Sequence, residues 1–411
     1  MRRFAAPATL HFRISGAFLL AFGGAVCACG SDTPGGEAGA AGSPAAGAGM
    51  AGMSPGGVSG STGVAGSASV AGGGAGGSAP TAGSGGNATT GGVSTTAGAG
   101  GSSTTAGSGG AAAGAGGGGT VDRNQRKLLL RDEGNSAVHY IDLAEPAKSW
   151  HQTVPVGRDL QLIGGKRFLI GTENGYQERN LSDGSVAKDV TTFPGTLDAH
   201  RLHDGNTLLV GLDFHGGKGI VLLEVTAQGT AGRQLEFPGT YVRLVRESGP
   251  DRFLITADTH VFEGDAQGKV LWDATVQAGP AAPHAWEALR LASGDIVIAA
   301  GYAASLEIFG PDQKLKQTIT GGDGVTPYFF SDVQVMAGGS YVVTNWQGHG
   351  VGLGGKGLQL VEYDAAGKLI WSWKQDASFV SSLQAGLVLD GLDQDKLQVE
   401  SPTTGELEPV N

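Results

Sequence analysis

Cysteine is nearly absent from this chain of 411 residues, which contains only Cys27 and Cys29. No cysteine follows Cys29, so disulfide bonds and thiol chemistry are excluded from the rest of the chain. Charge and aromatic rings are missing from one long stretch: no charged residue lies between Glu37 and Asp122, and no aromatic residue lies between positions 33 and 120. This stretch cannot bury enough apolar surface to offset the entropy of ordering, so it is predicted to be disordered.

Basic residues are also scarce: 27 Lys and Arg stand against 38 Asp and Glu, for a formal net charge of −11. A chain this acidic repels the phosphates of nucleic acid, so a nucleic-acid partner is not expected. Residues 123–411 contain no G-x-S-x-G elbow, P-loop or H-E-x-x-H motif. These residues therefore give no motif-based reason to expect catalysis.

The N-terminus has the pattern of an export signal, with three arginines before or within an apolar run that ends at residue 26. The run is too short to span a membrane with any margin. The next residues, VCACGSD, resemble a bacterial lipoprotein signal in which Cys29 is lipidated. The resemblance implies a signal peptide over residues 1–28 and a lipid anchor in the cell envelope. Since Gly30 follows the cysteine, it points to the outer membrane. An ordinary secretory signal peptide is the alternative.

Residues 29–122 form the predicted linker, with sequences such as AGGGAGGSAPTAGSGG. A glycine-rich coil of this length has a typical span on the order of 50 Å. The linker would therefore hold the remaining domain, residues 123–411, away from a membrane surface.

An internal repeat in residues 123–411 predicts the fold. Five segments share a short strand, a glycine-containing turn and an apolar second strand: DLQLIGGKRFLIG, AHRLHDGNTLLVG, YVRLVRESGPDRFLI, ALRLASGDIVIAAG and DVQVMAGGSYVVTN. A long polar residue recurs in the first strand every 40 to 50 residues, at Gln161, Arg201, Arg243, Arg290, Gln334 and Gln384. Four strands in a unit of roughly 45 residues are typical of a propeller blade.

The two ends of the domain complement each other. RKLLLRDEGNSAVHYIDLAEPAKSWHQTV supplies three outer strands, and SSLQAGLVLDG near the C-terminus supplies a first strand. The sequence therefore predicts an all-β, six-bladed propeller of four-stranded antiparallel blades, in which the N- and C-terminal strands share one blade and remove the free sheet edges. Five or seven blades would follow if a terminal unit is misread. A closed ring needs no partner to complete its sheets, so a monomer is expected.

The segments GKVLW at 268–272 and GKLIW at 367–371 resemble the secreted bacterial propellers with PQQ-like or WD40-like blades, and distantly the arylsulfotransferase-type propellers. The resemblance implies the fold and is weak for function. Quinoprotein dehydrogenases of this kind typically carry a vicinal cysteine pair, which this domain lacks. Ser331 stands where the arylsulfotransferase motif has histidine. A quinone cofactor is therefore not expected, and neither activity is transferred.

Loops that enter the first strand of a blade, and loops that join its second and third strands, emerge on the same face of a propeller. TNWQGHG, PHAWE and LDAH are therefore predicted to face one opening, where ligands commonly bind. The predicted ligand-binding residues are His200, His215, Tyr241, Trp286, Asn345 and Trp346. The candidate catalytic residues are His284, His349, Asp332, Glu287 and Asp198.

Other polar and aromatic residues have structural interpretations. Trp150, Trp272 and Trp371 fall on outermost strands and are predicted to pack between blades. Carboxylates could offer oxygen ligands to Ca²⁺, but there is no compact D-x-D-x-D-G loop, so no metal site is assigned. The histidines lack the close spacing of a zinc site.

Three functions stay open. The favoured one is an envelope-anchored binding module for a glycan, peptide or protein ligand. The alternative is a hydrolase or lyase acting on a polysaccharide or ester, with His284 or His349 as general base and a carboxylate orienting it. A quinone-dependent oxidoreductase is the second alternative. The binding hypothesis predicts that ligand capture survives His284→Ala and falls with Trp346→Ala, whereas a hydrolase predicts retained binding and lost turnover in the histidine variant.

Overall fold

The computed structural model describes residues 122–277, 283–322, 324–350 and 353–410. The predicted signal peptide, Cys29 and nearly all of the predicted linker lie outside these residues. Within the part of the chain that is described, no helix is long and apolar enough to cross a membrane.

The described residues form short strands joined by tight turns. Several turns between strands contain glycine or aspartate with positive φ, such as Gly205, Asp251 and Gly268, because these residue types accept turn backbone conformations. In chain order the strands are β1 (Lys127–Asp132), β2 (Ala137–Asp142), β3 (Trp150–Thr153), β4 (Gln161–Gly164), β5 (Arg167–Thr172), β6 (Gly175–Asn180), β7 (Val186–Val190), β8 (Thr196–Arg201), β9 (Thr207–Leu212), β10 (Ile220–Val225), β11 (Ala231–Phe237), β12 (Val245–Gly249), β13 (Arg252–Ala257), β14 (His260–Asp265), β15 (Val270–Thr275), β16 (Glu287–Arg290), β17 (Ile296–Ala299), β18 (Leu306–Phe309), β19 (Leu315–Ile319), β20 (Phe329–Val335), β21 (Tyr341–Trp346), β22 (Leu360–Tyr363), β23 (Leu369–Trp373), β24 (Leu383–Val388), β25 (Leu397–Glu400) and β26 (Leu407–Val410). Short 3₁₀ helices lie at Arg123–Gln125, Pro146–Lys148, Phe214–Gly216 and Leu353–Lys356.

The strands make six antiparallel blades, which confirms the predicted propeller. From the innermost strand outwards, blade 1 contains β4 to β7, blade 2 β8 to β11, blade 3 β12 to β15, blade 4 β16 to β19, and blade 5 β20 to β23. Blade 6 contains β24, β1, β2 and β3 in that order. The second strand of each blade is almost wholly buried because both of its faces are covered by neighbouring blades.

Ring closure occurs as predicted, through the pairing of the C-terminal strand β24 with β1. Leu128 lies opposite Val388 and Leu130 opposite Gly386 in an antiparallel register. Apolar clusters fill the interfaces on both sides of this shared blade; one includes Leu129 and Leu387, and another includes Leu128 and Val342. The ring is therefore sealed by hydrogen bonds and by packing.

The recurring polar residues of the first strands join neighbouring blades, as expected, in two clear cases. The Gln161 side chain accepts from the Arg201 backbone N–H at 2.7 Å and donates to its carbonyl at 3.0 Å. Gln334 does the same with Val388, at 2.8 and 3.1 Å. The assignment of Arg243 to this series is wrong. Strand β12 begins only at Val245, so Arg243 lies in the loop that enters blade 3.

The three outer-strand tryptophans pack between blades, which confirms that prediction. Trp150 and Trp272 belong to two of the inter-blade clusters. The Trp272 indole N–H also donates to the Gly310 carbonyl of the next blade at 3.2 Å. Trp371 lies beneath the Arg126 guanidinium, 4.4 Å from its ring centroid.

A C-terminal hairpin that was not predicted extends blade 1 at its inner edge. Strands β25 and β26 pair with each other, and Leu397 pairs with Ile163 at the end of β4. Glu406 forms a bridge with Val335, the last residue of β20. Both contacts lie where innermost strands end, so the hairpin covers the channel on the face opposite to the loops that enter those strands.

Candidate functional site

Five aromatic residues of blades 4 and 5 pack into one continuous cluster, here called the aromatic wall, beside the channel opening. Three of the rings are buried, and the cluster reaches the surface at Tyr328. Neighbouring ring centroids lie 4.7 to 6.4 Å apart in mainly edge-to-face contacts, which aromatic pairs favour. Trp286 and Trp346 meet here through Phe329, which confirms that PHAWE and TNWQGHG face the same opening. The wall consists of Trp286, Tyr302, Tyr328, Phe329 and Trp346.

Glu133 forms one border of the wall and joins blade 6 to blade 5. Its carboxylate accepts from the Trp346 indole N–H and lies 2.9 Å from Nδ1 of His349. The His349 ring also packs edge-on against Trp346, with centroids 4.7 Å apart. The loop after β21 is thereby fixed to the blade that closes the ring.

His284 forms a second polar border of the wall. Its Nδ1 lies 2.6 Å from the Asp258 carboxylate, which comes from the loop after β13. The imidazole also contacts the rings of Tyr241 and Tyr302, at 5.2 and 5.5 Å. The opening therefore holds two histidine–carboxylate pairs, and in both the carboxylate differs from the residues predicted for that role.

Gly301 makes the close approach of these loops possible. It has φ +58°, and a Cβ atom there would lie 2.1 Å from the His284 carbonyl oxygen and 3.0 Å from the Phe329 ring. Any other residue would push His284 and the wall apart. The position of Tyr302, the next residue, depends on this glycine.

Two arginines, from the loops that enter blades 1 and 3, lie beside the wall. The guanidinium carbons of Arg158 and Arg243 are 5.5 and 5.3 Å from the ring centroid of Trp286. Arg243 also stacks on the Tyr241 ring at 4.0 Å. The opening thus combines aromatic surface, cationic groups and histidine–carboxylate pairs.

Below the opening, the channel contains a buried ionic group, here called the channel cluster. Arg246 lies 2.8 Å from Asp159, 2.7 Å from Glu287 and 3.2 Å from Glu400. His200 bridges Asp159 and Glu400 at 3.0 and 2.9 Å. Glu400 comes from the C-terminal hairpin, so the covering hairpin contributes a charge to the cluster.

Charge in the channel is set by burial and by these contacts. Burial opposes the charge of His200, but Glu400 and Asp159 outweigh it and raise its pKa to about 10. Burial would raise the pKa of Glu400, but His200 and Arg246 lower it to about 2. Burial raises the pKa of Asp198 and of Glu287, and a neighbouring carboxylate adds to the effect in each case.

These shifts predict that the protein loses stability with rising pH. His200 contributes fully below its unfolded pKa of 6.5, and this contribution is lost towards pH 10. Asp198 keeps its proton in the folded state above its unfolded pKa of 3.8, so it too disfavours folding as the pH rises. The free energy of unfolding should therefore fall between about pH 6 and pH 9, by about 1.4 kcal/mol per pH unit for each retained proton.

Urea denaturation across this pH range measures the slope. Asp198→Asn imitates the protonated carboxyl and should make the decline shallower, whereas Asp204→Asn, at an exposed turn, should leave it unchanged. A free energy of unfolding that rises over the range would contradict these protonation states.

The structure separates the predicted site residues into two groups. Tyr241, His284, Trp286, Trp346 and His349 lie together at the opening. The other predicted residues lie elsewhere. Asn345 holds a loop in place, His215 lies in an exposed loop, and the channel contains His200, Asp198, Glu287 and Asp332.

The three carboxylates predicted as catalytic candidates lie on innermost strands and accept backbone hydrogen bonds from the next blade. Asp198 accepts from Val245 N–H, Glu287 from Val333 N–H and Asp332 from Gly386 N–H, each at 2.8 Å. These bonds join the blades around the channel. A catalytic role for the three stays a prediction.

Asn345 is buried beside the wall, whereas His215 is exposed on a loop. The buried Asn345 amide accepts from Tyr328 N–H and donates to the Thr326 and Leu358 carbonyls, which fixes the loop that carries Tyr328. His215 lies in the exposed loop after β9, where its Nδ1 is 3.3 Å from the Gln234 side-chain oxygen. Its role in ligand binding stays a prediction.

Three residues at the opening were not predicted from the sequence: Arg158, Tyr328 and Phe329. Arg158 immediately precedes Asp159 in the loop that enters β4, and Tyr328 and Phe329 stand at the start of β20. Their position just before an innermost strand could have predicted that they lie at the opening. Among the described residues, no three His, Cys, Asp or Glu side chains are arranged to hold a metal ion.

No family model matches the sequence, and no curated protein matches it. Solved structures of propeller type do resemble the fold. A protein of unknown function from Bacteroides caccae is 20% identical, with a TM-score of 0.52 over 64% of this chain and 98% of that one. The calcium-binding protein regucalcin from Agrobacterium tumefaciens is 12% identical, with a TM-score of 0.39 over 54% and 82% of the two chains. A streptogramin B lyase is 12% identical, with a TM-score of 0.42 over 64% and 87%. At 20% identity the likeness to the Bacteroides caccae protein extends to the fold and no further.

Proposed function

We propose that this propeller is a binding module that takes a glycan, peptide or protein ligand on the aromatic wall at the channel opening. The observation that carries the proposal is the wall itself, five connected rings bordered by arginines and histidine–carboxylate pairs. Tyr328 is 38% exposed, so part of the wall is open to a partner. Rigid aromatic rings offer large contact area at small entropic cost, and polar neighbours supply orientation.

The chain would present this module from the cell envelope. Lipidation at Cys29 supplies the anchor in this proposal, and the glycine-rich segment before residue 122 supplies the distance from an outer-membrane surface. The module would act as a monomer, with its ligand outside the cytoplasm.

Binding is tested with the full-length protein on an array of immobilised glycans and peptides. Tyr328→Ala should weaken capture of the array ligand by about tenfold, because a stacking ring is lost from the wall. Trp346→Ala should weaken it at least as much, whereas His284→Ala should retain binding.

Tyr140→Ala is the matched control, since Tyr140 is partly exposed on β2 and stacks on Trp150, away from the opening. Thermal unfolding of each variant checks the fold. Equal capture by wild type and by both wall variants would refute a binding role for the wall.

Catalysis is the second candidate, because His284 and Asp258 are 2.6 Å apart at the same opening. An imidazole oriented by a carboxylate can act as a general base in hydrolysis or elimination. In that case the array ligand would be consumed by wild type, and His284→Ala would still bind it but would not turn it over.

A further inference from the structure

Arg158 and Arg243 are two neighbouring cations with no carboxylate within ion-pair distance among the described residues. Neither forms an ion pair among the described residues, although both are partly buried against Trp286. Buried arginines elsewhere in the propeller have acceptors for their guanidinium groups. Arg246 and Arg126 form ion pairs, the latter at 2.9 Å from Glu362, and Arg131 and Arg179 donate hydrogen bonds to backbone carbonyls. The pair at the opening departs from the pattern of this molecule.

Burial makes this pair of charges electrostatically unfavourable. Burial, reinforced by the charge of Arg243, lowers the pKa of Arg158 to about 10. Burial also lowers the pKa of Arg243, although Tyr241 and Asp258 oppose this. Buried N–H groups without an acceptor, Nη1 of Arg158 and Nε of Arg243, add to the cost. Unfavourable charge held at an opening is typical of a site that a ligand completes.

The loop that carries Arg158 is held rigidly. The buried Arg131 guanidinium donates to the carbonyls of Pro155 and Asp159, at 3.0 and 3.3 Å, on either side of Arg158. The Arg158 carbonyl accepts from Gly171 N–H at 2.9 Å. Gly157 has φ +152°, and a Cβ atom there would lie 2.3 Å from the Gly171 carbonyl oxygen. The backbone that carries Arg158 is therefore fixed, and its guanidinium lies over the Trp286 ring.

We propose that Arg158 and Arg243 hold the carboxylate or sulfate group of an acidic oligosaccharide whose sugar rings lie on the aromatic wall. This inference rests on the proposed function and specifies its ligand. Guanidinium groups bind such oxyanions through paired, charge-assisted hydrogen bonds. Trp286 contacts both arginines and is part of the wall, so one ligand can reach the anion site and the aromatic surface together.

The observations favour a sugar over a peptide. Extended peptides commonly bind by adding a strand to an open sheet edge. In blade 1 the inner edge is already covered by the C-terminal hairpin, on the face opposite to the opening. The ring of Tyr328 is the exposed part of the wall, and an aromatic ring suits the C–H surfaces of sugars. An acidic peptide is the competing outcome of the test.

The test uses the full-length protein with matched ligands. Oligogalacturonate and its fully methyl-esterified form share a backbone and differ in charge. An array of uronic-acid, sulfated and neutral oligosaccharides, with acidic peptides added, covers other acidic sources. Binding should be confined to acidic glycans, and Arg158→Gln or Arg243→Gln should weaken it by about tenfold or more.

Arg252→Gln is the control, because Arg252 is an exposed arginine at the start of β13 whose loss changes the net charge equally. Arg252→Gln should leave the affinity within about twofold of wild type.

Denaturation of the arginine variants provides a second readout. Because neither arginine forms an ion pair among the described residues, Arg158→Gln should retain or increase the free energy of unfolding while it loses acidic-glycan binding.

Each result decides the question. Equal binding of charged and esterified oligosaccharides, unaffected by the arginine variants, would overturn the anion site and leave the wall as a binding surface. Capture of acidic peptides without glycans would overturn the sugar ligand. Lower stability with unchanged binding in Arg158→Gln would assign the arginine a structural role. If the protein captures no array ligand, both the proposed function and this inference are contradicted.

Discussion

Replacing Arg246 by methionine should lower the free energy of unfolding by about 3–5 kcal/mol, a large part of the stability of a typical domain. Arg246 is the buried cation that faces Asp159, Glu287 and Glu400 in the channel cluster. Methionine fills similar space but leaves these carboxyl groups with His200 as the remaining cation among them. Guanidinium chloride denaturation of the full-length chain measures the loss.

Arg233→Met is the matched control for this variant. Arg233 also contacts two carboxylates, Glu224 and Asp251, but its side chain is 36% exposed on the rim of blade 2. Water screens this exposed pair, so its loss should cost less than about 1 kcal/mol. Equal losses in the two variants would show that the channel cluster does not stabilise the ring.

Ending the chain after Leu392 should destabilise the propeller by a similar amount. The truncation removes the C-terminal hairpin, and with it Glu400, the carboxylate that contacts His200 and Arg246. It also removes Val399, which is 1% exposed, and uncovers the channel. We expect a loss of at least about 3 kcal/mol in the same denaturation experiment.

Two further variants separate charge from covering. Glu400→Gln keeps the hairpin and removes its charge, so it should reproduce much of the loss, whereas Glu408→Gln on the same hairpin should cost less than about 1 kcal/mol. Truncation combined with Arg246→Met should cost less than the sum, because both changes break one cluster. Full additivity would show that the hairpin and Arg246 act independently.

The propeller could be predicted because its signals recur. Each blade carries an apolar second strand between turn residues, and alternation with period two leaves few other ways to bury those faces. The closing blade could be predicted from two segments, the one that contains Leu128 to Leu130 and the one that contains Gln384. Each segment lacked the strands that the other supplied. Repetition made both inferences robust.

The C-terminal hairpin could not be predicted in the same way. Strands β25 and β26 follow the last repeat, and their partner, Ile163, is more than 200 positions away in the chain. Nothing local in LQVE or LEPV indicates an inner sheet edge. Pairing at that distance is decided by the space that the ring leaves open, which is a property of the assembled blades.

The site was predicted in outline because propeller topology sorts loops by face. It placed Trp286, Trp346, His284 and Tyr241 correctly at one opening. The prediction failed where an error of one residue in a strand or in the loop before it changes the side to which a side chain points. Adjacent side chains in a strand point to opposite faces. Arg243 was assigned to an inner strand that begins two residues later, and the carboxylate Asp198 lies buried in the channel.

Indole N–H signals of the full-length protein give the most direct test of the wall. The chain contains six tryptophans, so ¹⁵N-tryptophan labelling yields six signals to follow while the tightest-binding array glycan is added. We predict that the signals of Trp286 and Trp346 shift with saturation and that those of Trp150, Trp272, Trp371 and Trp373 stay in place. Shifts confined to the outer-strand tryptophans, with Trp286 and Trp346 unmoved, would contradict a ligand site at the channel opening.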